Sequence, residues 1–141
     1  MIIVDASIAI KWLNQDEEDS ELALSLYKNH IEEKEKILLL QFLFIEVANY
    51  LATKSSTSEE HIREGLQLLF EASFSIHQTI DEEIIEAATL AKKYGTSVYD
   101  MLYAVVAKRN NCLLVTADTK FAEKVRFPFV KTIKEIENAV Q

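Results

Sequence analysis

Met1-Ile2-Ile3-Val4-Asp5-Ala6-Ser7 is the stretch whose reading decides the fold. Three branched apolar residues without alternation suit a strand in a sheet covered on both faces. That strand ends on a carboxylate, and a hydroxyl follows two positions later. In open α/β sheets the carboxyl ends of the strands carry the ligand crevice, so Asp5 is placed where chemistry is done. Ile37–Leu40 and Cys112–Val115 read as two more buried strands, Phe74–His77 as another, and Phe129–Val130 as a terminal one.

Helical patterns separate these runs. Ser7–Leu13 is an apolar turn or two ending near Asn14. The acidic block Asp16–Asp19 suits the exposed start of a helix reaching about His30, since carboxylates there complement the helix dipole. Phe42–Ala52 is a strongly apolar helix. Thr57 with Glu60, Thr79 with Glu82 and Thr132 with Glu135 have capping-box spacing and open three further helices. Gly95 is a left-handed stop, a helix follows over Ser97–Asn110, and Asp118–Lys124 is a short one. Strands alternating with helices indicate a three-layer α/β/α domain over residues 1–141. Its central parallel sheet has about four to five strands, with helices on both faces.

Composition narrows the function classes. At 141 residues the chain is one domain by size, able to bury roughly 68–70% of its unfolded surface. Two glycines leave no phosphate-cradling glycine loop. One cysteine, Cys112, excludes an intramolecular disulfide and suits a reducing cytoplasm. No stretch nears the roughly 20 apolar residues that span a bilayer, so a soluble cytoplasmic protein is expected. The net charge of −8 argues against a general nucleic-acid-coating protein. The charge is uneven, however. Residues 1–86 hold 6 Lys/Arg against 18 Asp/Glu, whereas residues 87–141 hold 9 against 5, which keeps a basic approach surface open.

Four acids need a reason. Glu46 lies in the apolar run Phe42–Leu51 with no Lys or Arg within a helical turn, and Asn49 shares its face at i+3. Asp100 repeats the situation in Val98–Val106, and Asp118 follows Leu113-Leu114-Val115-Thr116-Ala117, just beyond the end of a strand, as Asp5 does. Ionised carboxylates among apolar residues are costly unless a positive partner is supplied. Mg²⁺ or Mn²⁺ would supply it, because hard cations prefer carboxylate oxygens and retained waters. Ser7 and Thr116 are placed to orient ligands or waters behind them. The chemistry that follows is metal-assisted phosphodiester hydrolysis. The bland alternative is that Asp5, Asp100 and Asp118 are helix caps and Glu46 an edge residue.

Asp5-Ala6-Ser7 with Lys11-Trp12, Glu46-Val47-Ala48-Asn49, Ser97-Val98-Tyr99-Asp100 and Leu114-Val115-Thr116-Ala117-Asp118 together resemble a PIN domain, in particular the VapC-type toxins of toxin–antitoxin pairs. The resemblance covers essentially the whole chain. It implies a Mg²⁺- or Mn²⁺-dependent ribonuclease whose catalytic and metal-binding acids correspond to Asp5, Glu46, Asp100 and Asp118, with Ser7, Asn49 and Thr116 supporting. It also implies an antitoxin partner and a homodimer. Many relatives place a proline shortly before the helix glutamate, where this chain has Gln41-Phe42-Leu43, so the entry to that helix is expected to differ. Lys11, Lys120, Lys124 and Arg126 are candidates for RNA phosphate contacts, and Trp12, Tyr99 and Tyr103 for base stacking, with packing as the competing role. His30, His61 and His77 lack zinc-ligand spacing. Two rivals stand beside the nuclease: a receiver-like phosphoacceptor, disfavoured because Ala6 rather than a second acid follows Asp5, and a non-catalytic PIN-like RNA- or protein-binding module.

Overall fold

The sheet is built from the most apolar runs of the chain. In the computed structural model, which describes residues 1–54 and 56–140, β1 (Ile2–Val4), β2 (Ile37–Leu40), β3 (Ser75–His77), β4 (Leu113–Thr116) and β5 (Val130–Thr132) pair in parallel in the order β3-β2-β1-β4-β5. Every residue of β1 and β2 is buried, as are Leu114, Val115 and Thr116 of β4. At the edges, β3 has no fully buried residue and β5 alternates buried Val130 and Thr132 with a half-buried Lys131, as a single paired side permits.

Among the described residues, eight helices cover the sheet: α1 (Ala6–Leu13), α2 (Ser20–Ile31), α3 (Leu43–Thr53), α4 (Glu59–Glu71), α5 (Asp81–Tyr94), α6 (Val98–Arg109), α7 (Thr119–Val125) and α8 (Ile133–Val140). Right-handed crossovers put α1 to α4 on one face and α5 to α7 on the other. Contacts agree with this division: α1 touches α2 and α3, α3 touches α4, and α6 lies against α5, β1 and β4. The closing helix α8 packs against α2 and the strands β4 and β5. The three-layer α/β/α arrangement with five parallel strands is the one expected from the alternation of strand and helix patterns. Among the described residues, no helix is long and apolar enough to cross a membrane.

Several helix starts differ from the expected ones by a residue or more. The acidic block precedes α2 instead of opening it. Asp19 sits in the left-handed region at φ 60° without a side-chain capping bond, and the block is held from outside. The Lys11 ammonium donates to the Glu18 carbonyl at 2.5 Å, while Lys134 of α8 pairs with Glu18 at 3.3 Å and Asp19 at 3.7 Å. Helix α4 is capped by Ser58, whose hydroxyl accepts from the His61 N–H at 3.2 Å, rather than by Thr57. At α5 the carboxylate reaching back is Glu83, not Glu82: it accepts from the Ile80 N–H at 2.9 Å. A buried acid that also meets His77 Nε2 at 2.9 Å outcompetes an exposed one for this post, because its burial has to be offset by bonds. Gly95 ends α5 at φ 69°, as expected.

Trp12 forms the centre of an aromatic cluster under α1. Its ring stacks on Phe74 with centroids 5.3 Å apart, and Tyr27 lies 5.5 Å away. The indole N–H donates to the Ala23 carbonyl at 2.7 Å, which satisfies its polar atom and joins α1 to α2. Trp12 is thus a packing residue and not a surface for stacking bases.

Candidate active site

Asp5 and Thr116 are brought side by side by strand pairing. The register aligns Val4 with Val115, so the next residue of each chain segment, Asp5 and Thr116, stands at the carboxyl end of adjacent central strands. The Thr116 hydroxyl donates to one Asp5 carboxylate oxygen and the Ser7 hydroxyl to the other. Each hydroxyl also accepts from the facing backbone: Ser7 from the Ala117 N–H at 2.9 Å, and Thr116 from the Asp118 N–H at 3.0 Å. Two strand ends are thereby locked through one carboxylate.

The other acids arrive on three different elements. Asp118 caps α7, accepting from the Phe121 N–H at 3.0 Å. Asp5 likewise caps α1, accepting from the Ile8 N–H at 3.4 Å. Capping and site membership coincide at these two residues. Asp100 is not the cap of α6; Ser97 is, and its hydroxyl accepts from the Asp100 N–H at 3.1 Å. Glu46 lies in the first turn of α3, which Phe42 enters without a side-chain cap. Its carboxylate accepts from the Tyr103 hydroxyl at 2.7 Å. Helices antiparallel to the strands start at the sheet's carboxyl edge, so Glu46 and Asp100 both belong to that edge, near positive helix ends.

All four acids line one cleft of about 380 Å³, together with Ser7, Asn49, Tyr50, Lys54 and Tyr103. The fields of the acids are felt mutually. Burial, opposed by the two hydroxyl bonds and reinforced by Asp100, pushes the Asp5 carboxyl up to about 6. Burial also pushes Glu46 up to about 6, against the Tyr103 bond and with repulsion from Asp5 and Asp100. Asp100 is raised by burial and by Asp118. Tyr103 is held well above the usual phenol range by burial and by Glu46. Such raised carboxyls in a cleft mark a place where positive charge is wanted.

The donor set fits a hard cation in chemistry: every candidate ligand is an oxygen. As the side chains lie, no three His, Cys, Asp or Glu among the described residues come together closely enough to hold an ion jointly.

The expected phosphate-contact residues lie elsewhere. Lys11 is buried with its ammonium on the Glu18 carbonyl. Lys124 donates to the Gly95 carbonyl at 2.7 Å, tying α7 to the turn before α6. Arg126, at φ 53°, terminates α7, and Lys120 is exposed; neither lines the acidic cleft. Asn49 does line it. Tyr99 is 61% exposed with one face near Phe42, whereas Tyr103 is 1% exposed. Lys54 and Tyr50, which line the cleft, went unrecognised in the sequence. Their signal was helical spacing: positions 46, 50 and 54 recur at i+4 on α3.

The PIN domain family model matches residues 2–126. The chain belongs to the PIN domain family. Ribonuclease VapC3 of Pyrobaculum aerophilum is 32% identical over 136 residues, covering 93% of this chain and 98% of that one. Among solved structures, the PIN fold of this chain is shared by the Pyrobaculum aerophilum protein PAE2754, with a TM-score of 0.72, 21% identity, and 99% of this chain and 90% of that chain covered. Mycobacterium tuberculosis VapC20, described as a sarcin–ricin loop cleaving toxin, has a TM-score of 0.70 at 11% identity, covering 92% and 97%. VapBC2 from Rickettsia felis, bound to a DNA fragment from its promoter, has a TM-score of 0.65 at 20% identity, covering 94% and 97%.

Proposed function

We propose that this PIN domain is a divalent-metal-dependent endoribonuclease, the toxin of a toxin–antitoxin pair, acting in the cytoplasm. The observation that carries the reading is the gathering of Asp5, Glu46, Asp100 and Asp118 from four elements around one cleft at the sheet's carboxyl edge. Similarity to Ribonuclease VapC3 over nearly the whole chain supports the substrate class. The Rickettsia felis VapBC2 structure supports a partner antitoxin. A homodimer belongs to the same reading.

Asp5, Glu46, Asp100 and Asp118 would hold Mg²⁺ or Mn²⁺ partly through the waters such an ion retains, the ion supplying Lewis acidity toward the phosphodiester and its attacking water. Ser7 and Thr116 fix the Asp5 carboxylate, leaving acceptor capacity on the oxygen that Thr116 meets. Tyr103 orients Glu46 in the same way, and Asn49 stands on the face of α3 from which Glu46 projects. The buried wall behind Asp5 excludes bulk water on that side, so charge at the cleft acts through a weaker dielectric than in solution.

The test is titration of Mn²⁺ into the protein and into Asp5→Asn by calorimetry, with RNA cleavage measured on the same samples. Binding and cleavage in the parent, both lost in a folded variant, are expected. Full cleavage by Asp5→Asn would overturn the assignment, and Mn²⁺ binding with no cleavage of any RNA would favour the binding-module reading.

A further inference from the structure

A second, larger cleft of about 720 Å³ adjoins the acidic one, and Tyr50 and Lys54 line both. Its walls come from the end of α1, the loop after it, the end of α3 and the start of α4. The lining combines apolar surface from Leu13 and Leu68 with amide and imidazole groups of Asn14, Gln15 and His61. Among the described residues, Lys54 is the one lysine or arginine that lines either cleft. It stands two helical turns beyond Glu46 on α3, about 12 Å along the axis at 1.5 Å per residue.

A strand of RNA entering an acid-lined cleft needs a cation on its backbone, and here that cation stands at the boundary between the clefts. Beyond it, flat apolar surface beside amide, imidazole and carboxylate groups suits an unstacked base, whose faces are apolar and whose edges donate and accept hydrogen bonds. The Tyr50 ring at the boundary is anchored from outside, its hydroxyl donating to Glu17 at 2.9 Å. An anchored ring at low entropy cost is a good stacking platform. Asp16 and Glu64 at the far walls disfavour phosphate there but can accept from amino groups of a base.

Resting on the ribonuclease reading, we propose that the second cleft seats the nucleotide flanking the cleaved bond of a single-stranded RNA, with Lys54 holding the phosphate between the two clefts. Lys54 then contributes to affinity for any sequence, whereas Asn14, His61 and Glu64 contribute to the choice of flanking base.

The experiment measures binding of a labelled, mixed-sequence single-stranded oligoribonucleotide in Ca²⁺ across a salt series, for the parent, Lys54→Ala, Lys54→Glu and His61→Ala. Flanking-base preference is then read from cleavage of a randomised RNA in Mn²⁺. Lys54→Ala is expected to weaken binding several-fold and to reduce the slope of log affinity against log salt by about 0.7, one single-strand phosphate contact. His61→Ala is expected to leave that slope alone and to alter the flanking-base preference. If the parent cleaves RNA while Lys54→Glu changes neither affinity nor slope, the proposal falls and the ribonuclease reading stands. Loss of grip on an inhibitory partner protein alone would assign the cleft to a protein and overturn it too. A parent that neither binds nor cleaves RNA would remove both readings together.

Discussion

Thr116, at the end of β4, donates its hydroxyl to the carboxylate of Asp5, at the end of β1, across 111 residues of sequence. The same oxygen accepts from the Asp118 N–H, so one buried hydroxyl holds two of the four acids in mutual register. Removing it by Thr116→Val leaves the shape nearly intact but strands an acceptor of Asp5 and a donor of Asp118. Stability is expected to fall by about 1–3 kcal/mol, measured by urea denaturation. Affinity for Mn²⁺ is expected to fall 10–100-fold, as for other groups that orient ligands from behind.

In the absence of divalent cations, the acidic cleft makes stability depend on pH in an unusual direction. Burial holds Asp5 and Glu46 at about 6 in the fold, while carboxyls of the unfolded chain titrate near 4. The folded state therefore binds more protons in that window, and this stabilisation is full below about pH 4 and lost as pH rises through about 6. For Asp5, which is 7% exposed, the loss is on the order of 2–3 kcal/mol. Thermal unfolding in EDTA should show it as the difference between parent and Asp5→Asn, with the variant gaining on the parent from pH 4 to pH 7. Mn²⁺ should restore the parent at pH 7 far more than at pH 4.

Tyr103→Phe removes the bond to Glu46 together with a backbone bond from Ala6 to the same hydroxyl. The phenol donates at 2.7 Å and its loss leaves the ring packed near Phe42. Because that bond favours ionised Glu46, its carboxyl should rise further, shifting the acid limb of a pH–rate profile upward. Cleavage at neutral pH is expected to drop roughly 10-fold, in line with loss of a ligand-orienting group, while Asp5 is left in place. An unchanged acid limb would show that Tyr103 only packs.

Glu83 is a structural counterpart far from the cleft. It is 2% exposed, accepts from the Ile80 N–H and meets His77 Nε2. Glu83→Ala is expected to destabilise by about 2–4 kcal/mol, since it frees a helix-start donor and an edge-strand imidazole at once. Mn²⁺ affinity of the remaining folded protein should stay within twofold of the parent.

Elements whose side chains answer to one rule were legible in the sequence. Ile2–Val4, Ile37–Leu40 and Cys112–Val115 are apolar runs that read as buried strands, although Cys112 and Leu113 at the start of the last are only half-buried, and Gly95 is a stop that needs a positive φ. Helix starts were less so. Thr79 and Glu82 match a capping box as well as Ile80 and Glu83 do by spacing, and the choice is made by burial of Glu83 against His77, a tertiary fact. The same holds at the site. Glu46 and Asp100 stand out as acids in apolar helices without local cations, and Asp5 and Asp118 as acids just past strand ends. Lys11 looked just as available for phosphate until the chain between Asn14 and Asp19 folded back over it. Lys54 looked like an ordinary exposed helix end, and its position beside two clefts arises only when α1, α3 and α4 pack.

The pairing of β1 with β4 has a consequence for the time at which the molecule becomes competent. Asp5 leaves the ribosome well before the strand that aligns it and the hydroxyl that fixes it, which lie beyond residue 112. A nascent chain made as far as Asp100 already contains Asp5, Glu46 and Asp100 but none of β4, so β1 lacks a neighbour on one side. Closing so long a loop is the slow, entropically costly kind of contact. The cleft is therefore assembled only once β4 has been made, and until then Asp5 lacks both the strand and the hydroxyl that fix it.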